Sequence, residues 1–119
     1  QETTGMCNRE FFGKCRKGSY FINTSRGELV DDEALLEALE NGTIAMAGLD
    51  TLDHEPVQKD HPMLSWPREI LDRIVFSPHI GGITGSSFRR GYGMIWDDIE
   101  KVAKGEVPGH IVNWKELEQ

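Results

Sequence analysis

"YFINTSRGELVDDEALLEALENGTIAMAGLD", residues 20–50, is the stretch on which the fold turns. Tyr20, Phe21 and Ile22 make a short aromatic and β-branched run that stops at Asn23, Thr24 and Ser25, as a strand running into a polar loop does. Asp31 stands at an N-cap position, and Asp32 and Glu33 put negative charge in a first helical turn, where free N–H groups favour it. Ala34, Leu35, Ala38 and Leu39 then recur at spacings of three and four, giving one apolar helix face. Gly42 sits where a left-handed C-cap is wanted. Residues 44–49 follow at once, apolar apart from their small members, and end at Asp50. A strand apolar on both faces belongs in a parallel sheet covered by helices. Strand, helix and strand with short joins form a β-α-β unit, whose crossover should be right-handed.

The same reading extends in both directions. Asn8 can cap a helix over 9–18, with Phe11, Phe12 and Cys15 facing inward and Gly18 ending it. Residues 53–72 contain Pro56, Pro62 and Pro67, so they can hold only short turns, with one turn of helix over 68–72. "RIVFS", residues 73–77, reads as a third strand. From 86 to about 104 the spacing predicts a long helix, because Phe88, Tyr92, Ile95, Ile99 and Val102 advance by four, three, four and three. Gly91 and Gly93 lie inside it at a cost of about 1 kcal/mol each against Ala, which points to a close neighbour there. Gly105 ends the helix, and "HIVNW", residues 110–114, reads as a short terminal strand. The expected fold class is α/β: a partial doubly wound, Rossmann-like parallel sheet with a long C-terminal helix.

Composition narrows the function classes. The 119 residues, 38% hydrophobic and 28% charged, fit one folded domain at most. A net charge of -7 argues against nucleic acid and against an anionic membrane surface as partners. No run approaches the roughly 18 apolar residues of a membrane span. Cys7 and Cys15 lie too far apart for a redox CxxC or a zinc knuckle, so a reduced, cytoplasmic protein is expected. "QETTGMCNRE" has neither a signal-peptide pattern nor an initiator Met, so the chain is expected to begin after processing or inside something longer.

All three strands end in residues with chemical potential. The first delivers Thr24, Ser25 and Arg26, the second Asp50 and shortly Glu55, the third His79. In open parallel sheets ligands bind beyond the carboxyl ends of the strands, so residues more than fifty positions apart would be gathered on one edge. A carboxylate beside an imidazole favours its charged form, so His79 with Glu55 makes an acid–base unit able to give a proton to a carbonyl oxygen. Arg26 offers the planar fork that grips a carboxylate. Each residue also has a plain structural reading: a loop histidine, a turn carboxylate before Pro56, a solvated strand end, and an Asx turn at Asp50. His54, His61 and His79 do not fall at zinc-site spacings, so no metal is expected. No G-x-S-x-G surrounds Ser25, which leaves a serine hydrolase unsupported.

Residues 21–56, "FINTSRGELVDDEALLEALENGTIAMAGLDTLDHEP", with 73–84, "RIVFSPHIGGIT", closely resemble the D-isomer-specific 2-hydroxyacid dehydrogenases, and "ETTGMCNREFFGKCRKGSYFIN" resembles the segment preceding that family's arginine motif. The resemblance implies an NAD-dependent oxidoreductase, NADP not excluded, acting on a small 2-hydroxy or 2-oxo carboxylic acid. It implies Arg26 as the substrate-carboxylate residue, Glu55 as the partner of the catalytic histidine, and His79 as the acid/base. It further implies that Asp50 bonds the nicotinamide carboxamide, and that Thr24, Ser25 and the loop His79, Ile80, Gly81, Gly82 lie against the cofactor. Formate dehydrogenases of the superfamily carry glutamine where Glu55 stands, so formate is not the expected substrate. Most members read Asp-Val where this chain has Asp50-Thr51.

The family's glycine-rich dinucleotide fingerprint does not occur in these 119 residues, nor does its ribose-reading acid or its substrate domain. Residues 1–119 are therefore expected to be the C-terminal portion of an NAD-binding domain, inactive alone. The other reading is a non-catalytic α/β module that keeps the fold without the chemistry. A sheet cut short, beside an apolar helix stripe, leads to the expectation of a homodimer, the alternative being a monomer whose N-terminal residues fold back over the gap.

Overall fold

The computed structural model describes residues 2–113, and the chain divides into two compact units, one up to Gly81 and one from Gly82 on. In the first unit, α1 (Arg9–Gly13), β1 (Ser19–Asn23), α2 (Asp32–Glu40), β2 (Ile44–Leu49), α3 (Arg68–Leu71) and β3 (Ile74–Phe76) follow in order. Turns of 3-10 helix occupy Gly27–Leu29 and Pro62–Ser65. The sheet is parallel with order β1-β2-β3, in register Asn23↔Leu49 and Leu49↔Phe76 at its carboxyl end. This is a partial doubly wound sheet, with the long helix following in the second unit.

α2 forms where the pattern puts it. Asp31 caps it by accepting the Ala34 N–H, Ala34, Leu35, Ala38 and Leu39 are buried, and Gly42 turns the chain at φ 75°. Arg73 then donates to the Leu39 carbonyl at 2.7 Å, satisfying one of the helix's terminal acceptors. Leu35 and Leu39 are fully buried against Ile44, Ala47, Leu49, Ile70 and Ile74, which make one core with Phe12, Met63 and Trp66. Each such leucine contributes roughly 2–3 kcal/mol of burial.

α1 is shorter than the sequence suggests. Asn8 does cap it, but it ends after Gly13, a poor helix former, and Gly18 at φ 82° instead turns the chain into β1. Phe12 is buried while Phe11 stays exposed, and the two meet Phe21 edge to face, with Phe12 and Phe21 centroids 5.2 Å apart. The N-terminal segment pairs with residues 28–31, through Gly5 to Glu28 and Cys7 to Leu29, and not with the edge of β1. Among the described residues β1 and β3 are thus the two edge strands, and β2 is paired on both sides.

One face of the sheet carries the core. The other presents Tyr20, Ile22, Met46 and Val75 as exposed apolar side chains. Cys7 and Cys15 are both free thiols, and no helix among the described residues is long and apolar enough to cross a membrane.

The second unit is built on α4 (Gly85–Ala103), opened by a capping box in which Thr84 Oγ1 accepts the Ser87 N–H and Ser87 Oγ accepts the Thr84 N–H. Gly105 at φ 73° ends it as expected. The segment beyond folds back along the helix, where Asp98 accepts the Gly109 N–H at 2.7 Å and meets His110 at 2.9 Å. The stripe Phe88, Tyr92, Ile95, Ile99 and Val102 is exposed, and a Cβ on Gly91 or Gly93 would meet nothing within 4 Å, so the close neighbour expected there is not among the described residues. The expected terminal strand does not form: residues 110 and 111 are irregular and 112 and 113 lie in a turn, since the Asp98 contacts draw the segment toward the helix; Trp114 of "HIVNW" lies outside the described residues.

Candidate active site

Three loops leave the carboxyl ends of the three strands, and main-chain hydrogen bonds tie them together. The Asp50 N–H donates to the Asn23 carbonyl at 2.9 Å, and the His79 N–H donates to the Asp50 carbonyl at 2.8 Å. The topology thus brings residues 23, 50 and 79 side by side, as parallel strand ends must be.

The first loop is folded on Asn23, which is buried. Its Oδ1 accepts the Ser25 N–H at 3.0 Å and its Nδ2 donates to the Arg26 carbonyl at 2.8 Å. The Arg26 guanidinium stays exposed and donates to the Ser25 carbonyl at 2.9 Å. Gly27 next to it has no room for a side chain, because a Cβ would lie 1.9 Å from the Leu52 carbonyl carbon. The first loop is pressed directly on the second.

The second loop carries Glu55. Its Oε1 accepts the Leu52 N–H at 3.0 Å and its Oε2 meets His79 Nδ1 at 2.5 Å. These two contacts, the amide first, hold the Glu55 carboxyl below the usual carboxylate range. Downstream, the loop is fastened by buried residues: His61 Nδ1 accepts the Met63 N–H at 3.3 Å, and His61, Met63 and Trp66 are all sequestered from solvent. An apolar cleft lined by Leu52, Val57, Met63, Leu64 and Phe76 opens beside Asp50 and Glu55.

The third loop is organised by Asp50, itself only 5% exposed. Its Oδ1 accepts the Ser77 hydroxyl and the Ile80 N–H, and its Oδ2 accepts the Gly81 N–H at 2.7 Å. The Ser77 hydroxyl, then the Gly81 and Ile80 amides, keep the Asp50 carboxyl below its ordinary range. These bonds hold His79 at φ 55°, a left-handed conformation that costs a non-glycine residue about 1–2 kcal/mol.

The electrostatics of the histidine follow from its partners. An ionised Glu55 only accepts, so His79 Nδ1 carries the proton. In the neutral ring Nε2 presents its lone pair to Arg26, whose NH1 stands 3.4 Å away. The result is a row of carboxylate, imidazole and guanidinium along the strand ends, with the outer nitrogen of the ring and the cation both open to solvent.

Of the residues singled out from sequence, Arg26, Glu55 and His79 converge, and Asp50, Ile80 and Gly81 meet directly beneath them. Thr24 and Ser25 stand in the first loop. Gly82 begins the second unit, where its carbonyl accepts the Ser87 hydroxyl. Asn23, Gly27 and Ser77 join them without a motif in the sequence to mark them. The available signal was a polar residue closing an apolar strand, which reads as a simple stop.

The family profile described as D-isomer specific 2-hydroxyacid dehydrogenase, NAD binding domain, matches residues 1–81. The chain belongs to the D-isomer-specific 2-hydroxyacid dehydrogenase family. Glyoxylate reductase of Thermofilum pendens is 38% identical over 113 residues, which are 95% of this chain and 32% of that protein. A D-isomer specific 2-hydroxyacid dehydrogenase from Xanthobacter autotrophicus, solved with NADPH, superimposes with a TM-score of 0.72 at 32% identity, over 94% of this chain and 42% of that one. D-lactate dehydrogenase from Lactobacillus jensenii, solved with NAD+, gives 0.71 at 32% identity over 94% and 36%. The chain spans about a third of the length of the curated relatives it matches. Within the family, the matched region is the NAD(P)-binding domain.

Proposed function

We propose that this chain supplies the nicotinamide-side part of an NAD(P)-dependent dehydrogenase that interconverts a D-2-hydroxy acid and a 2-oxo acid, with the fingerprint and substrate domain carried outside these 119 residues. The observation behind this reading is the spacing of two groups: Arg26 NH1 and His79 Nε2 lie 3.4 Å apart at an open edge. That spacing suits neighbouring oxygens of one small molecule, a carboxylate on the guanidinium and the C2 oxygen on the imidazole.

The residues present fit the nicotinamide end of the cofactor. A carboxylate offers about four acceptor positions, and three of those on Asp50 are taken by Ser77, Ile80 and Gly81, leaving one for a carboxamide N–H. When bound, the cofactor supplies a hydride to C2 of the oxo acid or takes one from the hydroxy acid. The chain's own part is proton and charge management. Arg26 grips the carboxylate, and His79 Nε2–H gives its proton to the C2 oxygen as the alcohol forms. Glu55 stabilises the charged ring beforehand and fixes its tautomer at Nδ1. In the oxidative direction the neutral Nε2 takes the proton back. The names of the relatives, glyoxylate and hydroxypyruvate reductases among them, point to a short 2-oxo acid.

The test is to express the chain joined to its upstream coding sequence and to follow NADH and NADPH oxidation with glyoxylate and hydroxypyruvate, and NAD+ reduction with D-lactate. Turnover with at least one of them is expected, and none from the 119 residues alone, where no oriented hydride donor exists. A folded, cofactor-binding polypeptide inert toward all of them would favour the non-catalytic module instead. The exposed face of the sheet and the open edge of β1 further support a homodimer of the chain.

A further inference from the structure

We infer that Asn23 is the positioning residue of the carboxylate-binding arginine; this rests on the reading of Arg26 given above. Arg26 itself has little to hold it. Its guanidinium is exposed, and its contacts are the Ser25 carbonyl at 2.9 Å and His79 Nε2 at 3.4 Å. Apart from those two contacts, what fixes the direction of the side chain acts through the backbone of residues 25 and 26, and both ends of that backbone are clamped by one amide. Asn23 Oδ1 takes the Ser25 N–H, Asn23 Nδ2 gives a hydrogen bond to the Arg26 carbonyl, and the Asn23 carbonyl takes the Asp50 N–H.

The chemistry at this position is restrictive. The site needs an acceptor and a donor on one short planar side chain, and it is 6% exposed, so neither bond is replaced by solvent. Aspartate keeps the acceptor but loses the donor. Serine and alanine are too short to reach both ends. The Asp50 link makes Asn23 more than a local turn, since Asp50 also holds the His79 loop. The separation of guanidinium and imidazole is thus set by two buried residues, Asn23 and Asp50, joined by one main-chain hydrogen bond.

Asn23→Asp and Asn23→Ala in the complete dehydrogenase test this by splitting the kinetic constants. Loss of one buried hydrogen bond should raise KM for the 2-oxo acid about tenfold in Asn23→Asp, and more in Asn23→Ala, with the cofactor KM within twofold of wild type. Burial favours the neutral acid, whose O–H can replace the lost donor, so the KM increase in Asn23→Asp should shrink as pH falls. A lower melting temperature with unchanged KM would overturn the inference, as would equal rises in both KM values. Should the complete protein prove to have no dehydrogenase activity, the Arg26 Nε–H resonance of the 119-residue chain still decides. It must move or broaden in Asn23→Asp, and an unchanged resonance overturns the positioning role whatever the reaction is.

Discussion

Replacing Gly27 by alanine puts a methyl group where there is backbone. The new Cβ would stand 1.9 Å from the Leu52 carbonyl carbon and 2.2 Å from both the Leu52 oxygen and the Asp53 nitrogen. Carbon atoms rest at ~3.5–4.0 Å, so the two segments would have to part by about 1.6 Å or more. No rotamer can relieve this, because the obstacle is main chain between Thr51, which is buried, and Glu55, which is tied to His79. Overpacking commonly costs about 1–3 kcal/mol, and here the upper end or beyond is expected. In a unit of this size about 3 kcal/mol lowers the melting temperature by roughly 12–24 °C. Thermal unfolding followed by far-ultraviolet circular dichroism measures it directly. Gly13→Ala is the matched control: it lies in α1 with nothing within 4 Å of its Cβ, and should be neutral or slightly stabilising. A Gly27→Ala protein that melts within about 3 °C of wild type would refute the close approach of the two loops, and with it the geometry around Arg26.

Thr51 is buried, and its hydroxyl has no hydrogen-bond partner among the described residues, so Thr51→Val should stabilise the chain by about 1 kcal/mol in urea unfolding; a loss of stability would mean that the hydroxyl is bonded. Asp50 is held below its ordinary pKa, so the stability it lends is present above the unfolded value of about 4 and is lost as pH falls through the folded value. Ser77→Ala removes the largest cause and should move the acid-unfolding midpoint to higher pH; an unmoved midpoint would count against it. In the complete dehydrogenase His79→Ala should lower kcat by roughly 10² to 10⁴, and Arg26→Lys should raise KM for the acid, since a point charge cannot make two parallel bonds; kinetics within twofold of wild type would return both to loop residues. Sedimentation equilibrium at micromolar concentration should show a dimer, whereas a clean 13.4 kDa species would remove that claim.

What the sequence revealed depended on how local the cause was. α2 was legible to its caps, because its apolar period, its acidic first turn and Gly42 all lie within a dozen residues. The three strands were legible as apolar runs, and parallel order followed from the short β-α-β joins. α1 was overextended because Phe11, Phe12 and Cys15 carry a helical period that Gly13 breaks and Gly18 does not serve. The extent of α4 was legible, but periodicity says only which side is apolar and not what covers it. At the site, the meeting of Arg26, Glu55 and His79 follows from strand ends in a parallel sheet. The work of Asn23 and the three donors on Asp50 was invisible, since these bonds join residues that become neighbours only when the sheet forms.

The loop bearing Glu55 has a consequence for a severed chain. Residues 54–60 form an exposed span with Lys59 near its end, an open target for trypsin. Upstream of it, Glu55 is moored to Leu52 and His79, and Asp50 to Asn23; downstream, His61, Met63 and Trp66 are sunk in the core. A cut at Lys59 would thus divide the polypeptide between the carboxylate and the imidazole without parting them. The two pieces would run separately on a denaturing gel and still travel as one particle under native conditions.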